Sequence, residues 1–177
     1  VSSLMHEIKG QDILINAMRI LIAQNSEINI SIDFVGDGKS KNYLVDLSNS
    51  LHLSNYINFI GNKPREWVYE NLWKYDLFVQ ASRYEGFGLT VAEAMAAKVP
   101  VIASNNDGPA EVLKNGKYGL LFTNNSAEDL AIKILEAIEL IKIGKLNKIV
   151  DEAYSYCLNN FDIEQTAKKY IEQYTCL

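Results

Sequence analysis

Two glutamates, Glu85 and Glu93, mark the part of the sequence with the clearest chemical pattern, because a glycine-rich turn and the start of a helix lie between them. Gly86 and Gly88 allow the backbone to turn tightly and to approach a ligand closely. The first turn of a helix beginning near Leu89 offers N–H groups without a partner in the helix, and such groups bind anions such as phosphate. Carboxylates accept hydrogen bonds from the vicinal hydroxyls of a ribose or a hexose. The spacing therefore predicts a site for a phosphorylated sugar.

Strands and helices on either side must position this turn. Residues 76–82 form an apolar run of strand length, and the small residues and Met at 89–97 are typical of a buried helix. Residues 99–103 predict a second buried strand, followed by a polar turn at 105–109 and a helix from Ala110. Since the carboxyl ends of parallel strands meet at one edge of an open α/β sheet, we expect both turns to line one cleft.

The rest of the chain continues this alternation. Residues 1–4 are typical of a strand end and residues 13–22 of an amphipathic helix, while 28–35 and 57–60 predict strands that end at Gly36 and Gly61. With a short strand at 118–122, this order predicts an α/β fold, a Rossmann-like doubly wound parallel sheet of about six strands. Helices are expected at 127–143, 145–159 and 162–174. Lys41 stands where a dinucleotide fingerprint needs its third glycine, which excludes a nicotinamide site.

Length, charge and composition restrict the class of protein. The 177 residues, 48% of them hydrophobic, predict a single domain over residues 1–177. A net charge of -5 without a cluster of Lys or Arg argues against a nucleic-acid surface. No apolar stretch reaches the ~20 residues of a membrane span, and the histidines and cysteines lack metal-ligand spacing. The chain begins at Val1 without a Met or a signal-like leader, so we expect a piece of a longer, cytoplasmic protein.

The motif Glu85-Gly-Phe-Gly-Leu, with Glu93-Ala-Met-Ala after it, resembles the Glu-x7-Glu signature of retaining glycosyltransferases of the family 4 type, which have the GT-B fold. The continuation is similar to that family as well. It comprises Pro100-Val-Ile-Ala-Ser104, Asp107-Gly108, Glu111-Val-Leu113 and Asn115-Gly-Lys-Tyr-Gly119. A lone Glu-Gly-x-Gly would be weak evidence, whereas a run of about 35 residues in the family's order is specific.

The resemblance implies a nucleotide-sugar-binding domain, the C-terminal half of a GT-B enzyme of the hexosyltransferase type. Such an enzyme transfers a sugar from a nucleoside-diphosphate sugar, of the UDP or GDP type, to a glycan or lipid-linked acceptor with retention of configuration. No metal and no other cofactor is expected. The acceptor lobe would precede this domain and is absent from the chain, so the isolated domain is expected to be inactive. Surface polysaccharide or lipopolysaccharide synthesis at the inner face of the membrane is the expected setting.

The resemblance also implies roles for individual residues. Glu85 would hold the donor sugar and Lys9 the diphosphate, as the catalytic pair, and Glu93 would hold the ribose. The remaining donor-binding positions are Gly86, Phe87, Gly88, Leu89 and Thr90 in the turn, and Gly36 and Gly61 at the strand ends.

Two features depart from the family or leave alternatives open. Ser2-Ser3 stands where the family has Gly-Arg, so a charged, forked contact to the diphosphate is replaced by a neutral hydroxyl. Arg83 is a hypothetical source of the missing charge. A non-catalytic nucleotide-binding module and a sugar-nucleotide epimerase of the same fold remain alternatives.

The aromatic residues at helical spacing, Trp67, Tyr69, Trp73 and Tyr75, are expected to belong to the core.

Overall fold

The computed structural model describes residues 1–25 and 28–161, in which helices and strands alternate. The helices are α1 (His6–Lys9), α2 (Gln11–Gln24), α3 (Lys41–Ser50), α4 (Arg65–Asn71), α5 (Leu89–Ala96), α6 (Asp107–Val112), α7 (Ala127–Lys142) and α8 (Leu146–Phe161). A 3-10 turn covers Leu72–Lys74. The strands are β1 (Ile32–Val35), β2 (Ile57–Gly61), β3 (Phe78–Gln80), β4 (Val101–Ser104) and β5 (Leu120–Phe122). The helix predicted at 162–174 lies outside the described residues.

The strands form two parallel sheets, one of β1 and β2 and the other of β3, β4 and β5 in that order. The predicted α/β class is therefore confirmed. The predicted number of about six strands in one sheet is wrong, since the described residues contain five strands in two sheets. The N–H groups of Ser2 and Leu4 donate to the carbonyl oxygens of Val35 and Asp37, both at 3.0 Å. Helix α1 follows at once, so this contact with β1 is too short to count as a strand.

Two hydrophobic clusters hold the layers together. The first lies where α2 and α7 pack beneath the strands, and the predicted stripe of α2 supplies Ile13, Leu14, Ala17, Met18 and Leu21 to it. The second joins α5 and α8 to β4, with Val91, Met95, Val101 and Cys157 among its buried members. Within the described part of the chain, no helix combines the length and the hydropathy needed to cross a membrane.

The aromatic residues around α4 differ from the expectation. Trp73 is 63% exposed and Tyr69 is 51% exposed, so the prediction of core positions is wrong for both. Helix α4 has seven residues, of which only Val68 is fully buried, and Tyr69 lies on its exposed side. Trp67 alone of the α4 aromatics packs against the second cluster.

Gly10 fixes the approach of the first residues to β3. It has a φ of 63° between α1 and α2, and an added Cβ would overlap the carbonyl oxygen of Ala81. Arg83 donates its N–H to the carbonyl oxygen of Ile8 at 2.8 Å in the same region. A side chain at position 10 would therefore push α1, and with it Lys9, away from the end of β3.

We predict that Gly10→Ala lowers the free energy of unfolding by about 2–4 kcal/mol, because a left-handed residue with a Cβ and a backbone overlap both cost energy. Gly144→Ala is the matched control, since Gly144 has a φ of 67° but its nearest neighbour would lie at 3.8 Å. The free energy of unfolding of the Gly144 variant should fall by only about 1 kcal/mol. Urea denaturation measures both, and equal losses would show that the contact with Ala81 is unimportant.

Candidate functional site

A cavity of about 1100 Å³ extends along the gap between β1 and β3 and reaches the carboxyl ends of the strands. At that end it is lined by Ser2, Ser3 and Lys9 from the first residues and by Glu85 and the turn that starts α5. The structure thus brings together Lys9 and Glu85, which are 76 positions apart in the sequence. This is the edge at which open α/β sheets bind ligands.

Glu85 is the centre of a small polar network. Its Oε2 atom accepts hydrogen bonds from Lys9 Nζ at 2.7 Å and from Gln80 Nε2 at 2.9 Å. The side chains of Lys9 and Glu85 are only 25% and 19% exposed, so water screens this ion pair weakly. No partner is recorded for the Oε1 atom of Glu85 among the described residues. The carboxylate is therefore oriented by one oxygen and keeps the other as an acceptor for a ligand hydroxyl.

Gln80 is a site residue that the sequence analysis missed. It ends β3 and is 7% exposed, and its Oε1 atom accepts a hydrogen bond from the Thr90 hydroxyl at 3.3 Å. Both ends of its amide are therefore used, one by Glu85 and one by Thr90. A polar side chain in an otherwise apolar strand is the signal that could have revealed it, because a buried amide requires partners.

The start of α5 is free to bind an anion. Its N-cap is Gly88 with a φ of 91°, and no side chain caps the helix. The carbonyl oxygen of Gly88 accepts from the N–H groups of Val91 and Ala92, at 2.9 and 3.2 Å. Among the described residues, no hydrogen bond is recorded for the N–H groups of Leu89 and Thr90. These two donors and the Lys9 ammonium face the same cavity, which suits a phosphate group.

The turn before α5 rests on the start of α6. A Cβ added to Gly108 would lie 2.7 Å from Phe87 N and 2.8 Å from the carbonyl oxygen of Glu85. One added to Gly88 would lie 3.4 Å from Pro109 Cα, whereas Gly86 has nothing within 4 Å. The packing of this turn against α6 therefore requires a glycine at position 108, and the φ of 91° favours one at position 88. Nothing in the structure requires a glycine at position 86.

Glu93 lies one turn further along α5 and is not among the residues that line the cavity containing Lys9 and Glu85. Its side chain is 26% exposed, and its Oε1 atom is 3.5 Å from Arg65 Nη2. Burial lowers the pKa of the Val1 amino group to about 6, and the charge of Glu93 opposes that shift. A carboxylate so placed keeps most of its capacity to accept hydrogen bonds, because a single long contact to an exposed arginine is weak.

Two predicted positions are placed elsewhere. Gly36 and Gly61 close the ends of β1 and β2, and the N–H of Gly36 donates to the carbonyl oxygen of Gly61 at 2.9 Å. Neither lines the cavity that contains Lys9 and Glu85. A Cβ on Gly36 would overlap the carbonyl oxygen of Ser2, whereas the space around Gly61 is open. The structure therefore shows a packing role for Gly36.

Arg83 does not supply charge to the cavity. Its Nη1 and Nη2 atoms donate to the two carboxylate oxygens of Asp12 at 2.7 and 2.8 Å. Nη1 also donates to the carbonyl oxygen of His6 at 2.6 Å, and Nε donates to Asn125 Oδ1 at 2.8 Å. These contacts bind the loop before Glu85 to the starts of α1 and α2. The hypothesis that Arg83 replaces a missing charge near Ser3 is therefore not supported.

Residues 1–155 match the family model described as "Glycosyl transferases group 1". The chain is 35% identical over 152 residues to the uncharacterized glycosyltransferase MJ1178 of Methanocaldococcus jannaschii, covering 84% of this chain and 41% of the relative. The crystal structure of Anabaena Alr3699/HepE in complex with UDP superposes with a TM-score of 0.86 at 27% identity, over 99% of this chain and 47% of that one. The C-terminal domain of a group 1 glycosyl transferase (LpcC) from Francisella tularensis gives a TM-score of 0.75 at 25% identity, with coverages of 92% and 84%.

The chain therefore spans less than half the length of MJ1178 and of the HepE chain. It covers most of the separate C-terminal domain of LpcC.

We predict that Arg83→Lys lowers the free energy of unfolding by about 1–2 kcal/mol, because an ammonium cannot reproduce the forked contact with Asp12. Arg65→Lys is the matched control, since the Arg65 side chain is 73% exposed and its contact with Glu93 is long, at 3.5 Å. The control should change stability by less than about 0.5 kcal/mol. Chemical denaturation measures both, and an unchanged stability of the Arg83 variant would contradict the structural role.

Proposed function

Since the chain belongs to the glycosyl transferases group 1 family, we propose that it is the donor-binding domain of an enzyme that transfers a sugar from a nucleoside-diphosphate sugar. The observation that carries this proposal is the network of Lys9, Gln80, Glu85 and Thr90 at the uncapped start of α5. This arrangement supports an anion site and a hydroxyl-binding carboxylate within one cavity. A nucleotide sugar carries both groups within one molecule.

The diphosphate of the donor would lie at the N–H groups of Leu89 and Thr90 with the Lys9 ammonium beside it. Negative charge grows on the leaving nucleoside diphosphate as its bond to the sugar breaks, and fixed donors that meet this charge lower the barrier. In the structure, Lys9 Nζ is paired with Glu85 Oε2 at 2.7 Å. A bound diphosphate would share or take over that ammonium and free Glu85 Oε2 for the sugar.

Glu85 and Glu93 would divide the hydroxyl groups of the donor between them. Glu85 lies in the cavity beside Lys9 and would accept hydrogen bonds from the sugar. Glu93, which does not line that cavity, would accept them from the ribose of a donor that extends beyond it. Gly86, Phe87 and Gly88 would surround the sugar and the diphosphate with backbone. We do not assign Glu85 as a covalent nucleophile, because retention in this proposal proceeds by attack on the face from which the diphosphate departs.

The finer details of the proposal have different kinds of support. The HepE structures contain UDP and UDP-glucose, which favours a uridine diphosphate sugar as the donor. The chain covers less than half of that protein, so a second lobe would supply the acceptor site and the isolated domain would transfer little or no sugar. A glycan or lipid-linked acceptor, in surface polysaccharide or lipopolysaccharide synthesis at the cytoplasmic face of the membrane, is the setting that we propose.

We predict that UDP binds to the chain in calorimetric titration and that Glu93→Ala weakens this binding by about 10–100-fold, as expected for the loss of hydrogen bonds to a charged group. Glu139→Ala is the matched control, since Glu139 is an exposed glutamate of α7. GDP and UDP-glucose are titrated in parallel to identify the base and the contribution of the sugar.

The titration also separates the proposal from a non-catalytic module. A module that binds nucleotide alone would bind UDP and UDP-glucose equally, whereas a donor site should bind the sugar conjugate differently and lose that difference in Glu85→Gln. Failure of the chain to bind any of the three ligands, or equal losses in the Glu93 and Glu139 variants, would contradict the proposed donor site.

A second prediction concerns Gln80 as a positioning residue. Gln80→Leu keeps the size of the side chain but removes the hydrogen bonds to Glu85 and Thr90, so we expect about 5–10-fold weaker binding of UDP-glucose, as expected for about 1 kcal/mol. UDP should lose less, because Glu85 is assigned to the sugar. Thermal unfolding of the variant controls for its folding. An equal loss for both ligands would contradict the role in orienting Glu85.

A further inference from the structure

Four aromatic rings connect the turn before α5 with helix α8. The Phe87 ring meets the Phe161 ring edge to face, with a centroid distance of 5.7 Å and an angle of 89° between the planes. Phe161 meets Tyr156 in the same way, at 5.6 Å and 88°. Tyr156 in turn stacks on Tyr118, at 4.7 Å and 23°. Aromatic pairs favour these geometries, so the rings form a continuous row of contacts from the ligand site to α8.

The turn before α5, residues 85–88, has few backbone contacts that fix its position. Among the described residues, the only backbone hydrogen bonds recorded for it are those that the Gly88 carbonyl oxygen accepts at the start of α5. A segment with few such bonds depends on packing for its order. Gly108 packs against the backbone at Phe87. The Phe87 side chain is 45% exposed, and within the described residues its aromatic partner is Phe161.

Helix α8 is itself firmly placed against α5. Ala153 and Cys157 are buried in the second cluster, and the Cys157 thiol donates to the carbonyl oxygen of Ala92 at 3.3 Å. Lys98, just after α5, pairs through Nζ with Oδ1 of Asp151, near the start of α8, at 2.8 Å. Contacts that advance along α8 therefore go backwards along α5. The two helices run in opposite directions, and the end of α8 lies beside the start of α5.

Phe161 stands at that end of α8. Cys157 and Phe161 are four residues apart and share one face of the helix. Cys157 contacts α5, and Phe161 contacts Phe87. Behind Phe161, Tyr156 is held by its stacking partner and by the Lys114 ammonium, which lies 5.4 Å from its ring centroid. Phe161 is therefore held between a fixed helix and the ligand turn.

We infer that Phe161 is a positioning residue of the donor site and acts through Phe87. Its ring holds the Phe87 ring, and Phe87 in turn fixes the backbone from which the N–H groups of Leu89 and Thr90 face the cavity. The inference rests on the proposed function, since those N–H groups are assigned to the diphosphate of the donor. Helix α8 contributes no described residue to the cavity, so it supports ligand binding from outside.

The first test measures the order of the turn without any ligand. Phe161→Leu removes the ring and keeps an apolar side chain, whereas Phe161→Tyr keeps the ring. Leu158→Ala is the matched control, since Leu158 is a 44% exposed residue of the same helix. We expect the NMR order parameters of the Phe87 and Gly88 amides to fall from the rigid range, about 0.85, to about 0.6 in Phe161→Leu alone. Unchanged order parameters would overturn the inference.

The second test measures binding by calorimetric titration. Phe161→Leu should weaken the binding of UDP and of UDP-glucose about 3–10-fold, as expected for the loss of one aromatic pair, and Phe161→Tyr should restore it. Both ligands are affected because both carry the diphosphate. In a Phe87→Leu background, Phe161→Leu should change binding by less than about twofold, because the ring through which it acts is already gone. Urea unfolding checks that each variant is folded.

Losses that simply add in the variant of Phe87 and Phe161 together would contradict the inference, and so would a loss in Leu158→Ala as large as that in Phe161→Leu. If the unchanged chain binds neither nucleotide, the proposed function fails, and the order parameters still decide whether Phe161 holds the turn. Normal nucleotide binding together with unchanged order parameters would leave the donor site standing and overturn the inference alone.

Discussion

The structure depends on the path of its first ten residues across the carboxyl ends of both sheets. This segment bonds to β1 through Ser2 and Leu4, and to the end of β3 through Ile8, whose carbonyl oxygen accepts from Arg83. Such backbone contacts leave no space for a side chain at Gly36 or Gly10. Because the segment is held at both ends, Lys9 reaches Glu85 at 2.7 Å, and two distant parts of the sequence form one site.

The site combines a carboxylate that protein contacts hold in place with N–H groups that stay available to a ligand. A partly buried ion pair with an additional hydrogen bond from Gln80 holds the carboxylate still, and hydrogen bonds to charged groups contribute roughly 1.5–3 kcal/mol each. The same pairing neutralises the ammonium until an anion arrives. Free N–H groups at the start of α5 are not neutralised in this way, since no side chain caps the helix. In the proposed function, the diphosphate would meet these donors first.

The two arginines near the site show how geometry decides the role of a charge. Arg83 is forked onto Asp12 and is 23% exposed, so it acts as a structural clamp. The Arg65 side chain is 73% exposed and makes a long contact of 3.5 Å with Glu93. Such a weakly held side chain can move aside for a ligand.

The sequence alone determined the α/β alternation, the amphipathic stripe of α2 and the glycine turn between Glu85 and Glu93, because each depends on residues close together in the chain. It could not determine that Gln80 holds Glu85, that Arg83 turns to Asp12, or that Gly36 packs against Ser2. It also overestimated the sheet and the burial of Trp73. Those outcomes depend on contacts between distant segments, where a side chain takes the partner that the packed backbone offers, and only the tertiary structure decides which partner that is.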